Sequence, residues 1–204
     1  MRLVVEKLAA ERGGRVVFAD LSFVVEAETL LRVSGANGAG KTTLLRVLAG
    51  LAAASEGGAI WHCANAISSP TEAACFVGHA NAFNDALTVR ENLAYAAALA
   101  GLDASPQEMG SSLVAFGVKP LIDRRFGTLS QGQRKRCSLA RLLLDPQRGG
   151  RAWLLDEPFV ALDTATQAQL AAVISTELAA GGLVIYTSHQ SVEINAANTQ
   201  EVAL

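Results

Sequence analysis

The chain has 204 residues, enough for one large domain or for a core that carries a small subdomain. It has 17 Lys and Arg residues against 19 Asp and Glu residues, and the basic residues are scattered along the chain. This balance argues against a nucleic-acid partner. No run of about 18 apolar residues occurs, so we expect no membrane-spanning segment and a cytoplasmic chain. The three cysteines are isolated, which predicts buried, reduced thiols.

The first third of the chain predicts strands, a glycine-rich loop and a helix, in that order. A helix is expected over Lys41–Ala49, because apolar residues recur there at helical spacing and Gly50 provides a stop. The strands are expected at Leu3–Val5, Val16–Phe18, Ser22–Val25, Leu30–Val33, Ala59–Trp61 and Cys75–Val77, with turns at Gly13-Gly14 and Glu26–Glu28.

The rest of the chain predicts helices followed by an α/β alternation. Thr88 to Gly117 is Ala-rich with helical spacing, broken at Gly101 and Pro106, and is a candidate helical subdomain. A further helix is expected over Ser130–Leu144, with Ser130 as its N-cap. Two continuous apolar runs predict buried strands, and a helix lies between them; the ranges are Ala152–Leu155, Leu183–Thr187 and Thr164–Leu178.

The glycine-rich loop fits the phosphate-binding pattern G-x-x-x-x-G-K-[ST] at every fixed position. Backbone N–H groups of such a loop surround phosphate oxygens, and the following helix adds its positive end. We expect Lys41 to neutralise the β- and γ-phosphates and Thr42 to give its hydroxyl oxygen to Mg²⁺. A chance glycine-rich turn is the alternative, but the strand before the loop and the helix after it argue against that. The candidate nucleotide-binding residues are Gly35, Ala36, Asn37, Gly38, Ala39, Gly40, Lys41, Thr42 and Thr43.

An acidic pair, Asp156-Glu157, ends a buried strand farther along the chain. We expect Asp156 to hold Mg²⁺ through water and Glu157 to polarise the attacking water. A solvated strand end is the alternative, and the position after a phosphate loop favours the catalytic interpretation. His189 follows the next predicted strand; a lone histidine is more often structural, but this position favours a γ-phosphate contact.

The pentapeptide Leu129–Gln133 comes where a helix is predicted to begin. Ser130 and Gly132 can therefore face a γ-phosphate, and an ordinary helix cap would use the same groups. The basic run Arg134-Lys135-Arg136 follows directly, and we expect it to be a solvated helix face.

The ordered motif set resembles that of the ATP-binding-cassette (ABC) ATPases. It comprises Gly35–Thr43, Leu129–Gln133 (a near match to Leu-Ser-Gly-Gly-Gln), Leu154–Pro158, Ala161–Asp163 and His189. The resemblance implies an α/β fold: a P-loop NTPase ABC cassette with a RecA-like, mostly parallel sheet core and an N-terminal antiparallel β part. It implies one domain over residues 1–204, with a helical subdomain inserted at about 86–128.

The same resemblance implies roles for single residues. Glu157 corresponds to the catalytic base, His189 to the switch histidine, and Asp163 to an aspartate at a dimer interface. ATP and Mg²⁺ are the implied ligands. In the implied homodimer, Ser130, Gln131, Gly132 and Gln133 of one subunit grip an ATP that is bound mainly to the partner.

Three positions depart from the ABC pattern. His79 stands where most members carry a glutamine that contacts Mg²⁺ and water, and imidazole is a poor Mg²⁺ ligand. Arg12 aligns with the aromatic residue that usually stacks on adenine, so either Arg12 stacks on the base or base discrimination is weak. Gln131 replaces a glycine of the pentapeptide, and its side chain can point away.

Within the class, the chain is most similar to the cytochrome c biogenesis ATPases. The supporting segments are Gly78-His79, Leu129–Gln133, Leu155–Phe159 and Thr187–Gln190. This resemblance implies a membrane permease of a cytochrome c maturation complex as the partner, on the cytoplasmic side of the bacterial inner membrane. The ATPase would serve haem export or the release of a haem-loaded chaperone.

Other functions stay open. One alternative is an ABC ATPase for another small-molecule transporter. A soluble ABC ATPase that acts on DNA or ribosomes is disfavoured by the single cassette and the lack of a long coiled-coil insert. Glu157 and His189 argue against a catalytically idle nucleotide-binding module.

Overall fold

The computed structural model describes residues 1–64, 66–78, 82–144, 151–189 and 192–204. An antiparallel sheet forms from strands in the order β2-β1-β4-β5. Gly13 and Gly14, both at positive φ, make the two-residue turn of the β1-β2 hairpin. These strands are β1 (Arg2–Arg12), β2 (Arg15–Glu26), β4 (Glu56–Cys63) and β5 (Ala66–Ser68).

The second sheet is parallel throughout, with the order β6-β7-β8-β3-β9. Its edge strand β9 has a polar sequence and is mostly exposed, and the sequence pattern did not predict it. The strands are β3 (Thr29–Ser34), β6 (Ala74–Val77), β7 (Ala152–Asp156), β8 (Val184–Thr187) and β9 (Asn198–Ala203).

The predicted helices are present, and most begin with a side-chain cap. Thr88, Ser105 and Ser130 each form a capping box with a Glu or Gln three residues later. The helix predicted to reach Leu144 ends earlier, and a 3-10 turn over Ala140–Leu143 continues it. The helices are α1 (Lys41–Leu48), α2 (Pro70–Ala73), α3 (Val89–Leu99), α4 (Pro106–Val114), α5 (Gln131–Leu139) and α6 (Thr164–Ala179).

The parallel sheet has a hydrophobic cluster on each face. Along β7, Leu154 belongs to the cluster that contains residues of α1 and the antiparallel sheet. Leu155, its neighbour, belongs to the cluster that contains residues of α3, α4, α5 and α6. Since successive strand residues point to opposite faces, the apolar run of β7 serves both clusters.

This arrangement brings the carboxyl ends of β3, β7 and β8 to one edge of the sheet, where ligands bind in open α/β folds. None of the helices in the described ranges is long and apolar enough to cross a membrane.

Candidate active site

The loop after β3 leads into α1 without a side-chain cap. Gly40 occupies the N-cap position at φ 105°, in the left-handed region that favours glycine. A side chain there would also collide with Val17. The first N–H groups of α1 therefore have no capping side chain, and such a helix start binds anions.

Lys41 lies across this loop. Its side chain is largely buried, with 8% of the residue exposed. Nζ donates hydrogen bonds to the carbonyl oxygens of Gly35 at 2.8 Å and Ala36 at 3.0 Å. The loop thus holds a cation directly beside its own backbone, and a phosphate placed in the loop would compete for the same ammonium group.

Asp156 is fixed by two hydroxyl groups at the end of β7. Thr42 Oγ1 donates to one carboxylate oxygen at 2.8 Å, and Thr187 Oγ1 donates to the other at 2.9 Å. The backbone N–H of Glu157 donates to the same Thr187 hydroxyl at 2.9 Å. Thr187 therefore links the ends of β7 and β8 and connects both acidic residues.

The oxygens of Thr42 and Asp156 suit a magnesium ion. Mg²⁺ keeps several waters and takes few protein ligands, all of them hard oxygens. The described part of the chain contains no group of three or more His, Cys, Asp or Glu side chains that would form a larger metal cage. The donor set fits Mg²⁺, and the magnesium role stays a proposal.

Glu157 has a strained backbone and an unsatisfied carboxylate oxygen. Its φ is 48°, in the left-handed region, where a non-glycine residue costs on the order of 1 to 3 kcal/mol. Oε1 is buried and accepts no hydrogen bond from any described group, although His189 Nε2 lies 3.4 Å away. A buried carboxylate with a free lone pair is suited to accept a hydrogen bond from water.

One cavity of about 490 Å³ brings the predicted residues together. The loop, the acidic pair and His189 all line it, and so does Arg12. Ser130 to Gln133 are not among the described residues that line this cavity. The lining residues are Arg12, Val17, Asn37, Gly38, Gly40, Lys41, Thr42, Thr43, Asp156, Glu157, Val160 and His189.

The sequence matches the family described as ABC transporter over residues 18–160. It is 42% identical over 202 residues to the cytochrome c biogenesis ATP-binding export protein CcmA of Albidiferax ferrireducens, covering 97% of this chain and 94% of that one. The CcmA protein of Aromatoleum aromaticum is 45% identical over 186 residues, 90% of this chain and 86% of that one. The chain belongs to the ABC transporter family, in its cytochrome c biogenesis ATP-binding branch. It is an ABC-type ATPase.

Solved structures agree with the ABC fold. A Pyrococcus furiosus protein described as an ABC transporter ATP-binding protein superposes with a TM-score of 0.82 at 23% identity, covering 98% of this chain and 97% of that one. An ATP-binding cassette solved as a dimer with ADP and phosphate gives 0.78 at 18% identity, covering 92% and 88%. The predicted fold class is confirmed.

The pentapeptide of this ABC ATPase caps α5. Ser130 N donates to Gln133 Oε1 at 3.0 Å, and Gln133 N donates to Ser130 Oγ at 3.3 Å. The Ser130 hydroxyl accepts in this box, so its proton remains available to another acceptor. Gln131 is exposed, as expected for a side chain that points away. The cap interpretation is confirmed, and the phosphate-binding one stays a prediction.

The expectation of a solvated face for Arg134-Lys135-Arg136 is wrong. Lys135 is only 5% exposed, and its Nζ lies 3.4 Å from the carbonyl oxygen of Glu157. Arg134 donates to the Leu129 carbonyl oxygen at 3.0 Å. Three consecutive helical residues cover most of the helix circumference, so they cannot share one face.

The pKa of Lys135 is lowered to about 8, chiefly by burial and also by the guanidinium of Arg141, whereas the carboxylates of Asp156 and Glu157 oppose this shift. Lys135 is thus a buried cation beside the acidic pair. The burial of Lys135 was not predicted, because Lys135 lies in a run of three basic residues.

Two other predictions have separate outcomes. His79 lies outside the described residues. The three cysteines are thiols outside any disulfide, as predicted, but only Cys137 is fully buried, and burial raises its pKa to about 12. Cys63 and Cys75 are partly exposed, so the expectation of burial is wrong for them.

Sequence reasoning missed Thr187 and Lys135. Thr187 belongs to a segment that supports the family resemblance, but no role was predicted for it. Its position at the carboxyl end of a predicted strand was the available signal. Lys135 gave no such signal, because its burial depends on how α5 packs.

Proposed function

We propose that the chain is the ATP-hydrolysing subunit of a membrane ABC complex for cytochrome c biogenesis. The observation that carries the hydrolytic part is the position of Glu157. Its buried, unsatisfied Oε1 lies at the cavity that also contains the phosphate loop, Asp156 and His189. The full-length similarity to the relatives named above supports the cytochrome c part.

In the proposed mechanism, the triphosphate occupies the loop. The N–H groups at the start of α1 and the ammonium group of Lys41 bind its oxygens. Glu157 accepts a hydrogen bond from the attacking water, and His189 contacts the γ-phosphate. Thr42 and Asp156 would hold Mg²⁺, which neutralises phosphate charge. For His79, at the glutamine position of the family, we propose a contact with water.

Arg12 and Val17 both line the cavity, and Arg12 supplies a planar cation rather than an aromatic ring. We therefore propose that it packs against the nucleotide base.

The second proposed element is a sandwich homodimer. Ser130 to Gln133 lie outside the cavity of their own chain, while the uncapped first turn of α1 lies on it. The pentapeptide would complete the site of a partner subunit, with the free hydroxyl proton of Ser130 directed at the γ-phosphate. Asp163, which caps α6 by accepting from Thr166 N at 2.7 Å, would lie at this interface.

The third element is a permease partner that docks on the helical part, residues 86–128. An apolar groove of about 390 Å³ lies between α3 and the sheet core. At its border Leu51, Tyr95 and Leu99 are 59%, 63% and 73% exposed. Clustered exposed apolar side chains mark interaction sites. Docking there would place the chain on the cytoplasmic side of the bacterial inner membrane.

Chromosomal replacement tests the proposal. A Glu157→Gln copy should abolish covalently bound haem in c-type cytochromes, because ATP turnover is lost, as measured by haem staining. Leu99→Asp adds a charge to the groove and does not alter the nucleotide cavity. A membrane protein that co-purifies with the parent chain should therefore no longer co-purify with the variant, whereas ATP binding should stay within about threefold of the parent. Normal cytochrome c with Glu157→Gln would favour export of another small molecule.

A further inference from the structure

Lys135 connects the pentapeptide helix to the catalytic residue of its own chain. It lies on the second turn of α5, five residues after the N-cap Ser130. Its Nζ reaches the carbonyl oxygen of Glu157 at 3.4 Å, across 22 positions of sequence. A lysine with 5% exposure is unusual, since Lys is almost never fully buried unless it is paired.

The Glu157 peptide is the place where such a contact matters. Its backbone is in the left-handed region at φ 48°, and a glutamate adopts that conformation only where its surroundings impose it. On the amide side, Glu157 N donates to Thr187 Oγ1 at 2.9 Å. On the carbonyl side, Glu157 O accepts from Lys135 Nζ at 3.4 Å and from the backbone N–H of Val160 at 3.4 Å, and Lys135 is the side chain among these two donors.

We propose that Lys135 is a positioning residue for ATP hydrolysis. Its ammonium group holds the Glu157 peptide in the left-handed turn, so that the carboxylate faces the cavity. Lys135 belongs to α5, the helix that begins at the pentapeptide. A displacement of α5 on partner binding would therefore move Lys135 and, through it, the backbone of Glu157. This inference rests on the proposed catalytic role of Glu157.

In the proposed dimer, Lys135 and the pentapeptide act on the nucleotide sites of different subunits. The pentapeptide serves the partner's nucleotide in the proposed sandwich, whereas Lys135 contacts Glu157 of its own chain. A change at Lys135 should therefore slow hydrolysis without weakening the ATP-dependent association of two subunits.

The test uses the full chain and three variants. Lys135→Met removes the donor at similar length, Lys135→Arg keeps a cationic donor, and Lys119→Met is a matched charge loss at an exposed site. We expect Lys135→Met to lower kcat at least tenfold with KM within twofold of the parent. Lys135→Arg should stay within threefold of the parent kcat, and Lys119→Met should match the parent.

A second arm separates positioning from interface damage. In a Glu157→Gln background, Lys135→Met should leave the ATP concentration at half-maximal dimerisation within twofold. A crystal structure of Lys135→Met should show Glu157 out of the left-handed region, and this readout does not depend on turnover. It therefore distinguishes failure of this inference from failure of the proposed function.

Three results would overturn the inference. They are a Lys135→Met variant with kcat within twofold of the parent, an unchanged Glu157 backbone in its structure, or a Lys135→Arg variant as slow as Lys135→Met.

Discussion

Thr187 and Thr42 fix the two oxygens of Asp156 from opposite sides, and Thr187 also accepts the N–H of Glu157. One hydroxyl therefore sets the relative position of the two acidic residues. Because Asp156 is 2% exposed, a carboxylate without these donors would lose hydrogen bonds that a charged buried group requires. Hydrogen bonds within the fold thus hold the acidic pair.

Lys41→Ala should weaken ATP binding about 100-fold, because each charge-assisted hydrogen bond to phosphate contributes roughly 1.5 to 3 kcal/mol. Titration calorimetry with ATP measures this, and Lys119→Ala is the matched control at an exposed site. An ATP dissociation constant within threefold of the parent would show that the loop does not bind the phosphates.

The site could be predicted where one local pattern determines it. The phosphate loop and the acidic pair each follow a strand, and carboxyl ends of parallel strands meet at one edge. The structure brings both, with His189 and Arg12, to one cavity. Lys135 could not be predicted, because its contact with Glu157 depends on the packing of α5 against β7.

At the scale of elements, α1 and α5 begin in opposite ways. Gly40 leaves the start of α1 without a side-chain cap, whereas Ser130 and Gln133 close the start of α5. The N–H groups of an uncapped helix start are available to the phosphates of a nucleotide that the same chain binds. A capped start keeps its geometry without a ligand, as a surface that meets a partner's nucleotide requires.

Ser130→Arg should block ATP-driven dimer formation and lower hydrolysis at least tenfold, because it places a large side chain on the proposed interface. ATP binding to the monomer should stay within about twofold, since Ser130 does not line its own cavity. Light scattering and calorimetry measure the two effects, with Ser111→Arg at an exposed position of α4 as control. Full hydrolysis by the Ser130 variant would contradict the assignment.

Some helices and strands follow from local sequence patterns, whereas others form only through tertiary contacts. The helices were predicted because apolar residues recur at helical spacing, with Ser130 as one predicted cap, and the strands because short apolar runs mark them locally. Strand β9 was missed because its six residues are mostly polar, and it forms only by pairing with β3. Two predicted strands merge into β2 because its pairing with β1 continues through register shifts.

At the scale of the whole molecule, the described part of the cassette has two surfaces that the proposed function assigns to partners. The nucleotide cavity lacks the pentapeptide of its own chain, and the groove beside α3 exposes Tyr95 and Leu99. In the proposed function, a second copy of the chain completes the first surface and a membrane partner covers the second.

Glu157→Gln tests the central claim most directly, because it removes the proposed general base and leaves the proposed binding groups in place. With saturating ATP and Mg²⁺, light scattering should give a dimer of about twice the 21.3 kDa chain mass, with ATP retained. The same variant carrying Lys41→Ala should remain monomeric. A Glu157→Gln protein that stays monomeric at saturating ATP, or that hydrolyses ATP at the parent rate, would contradict the account.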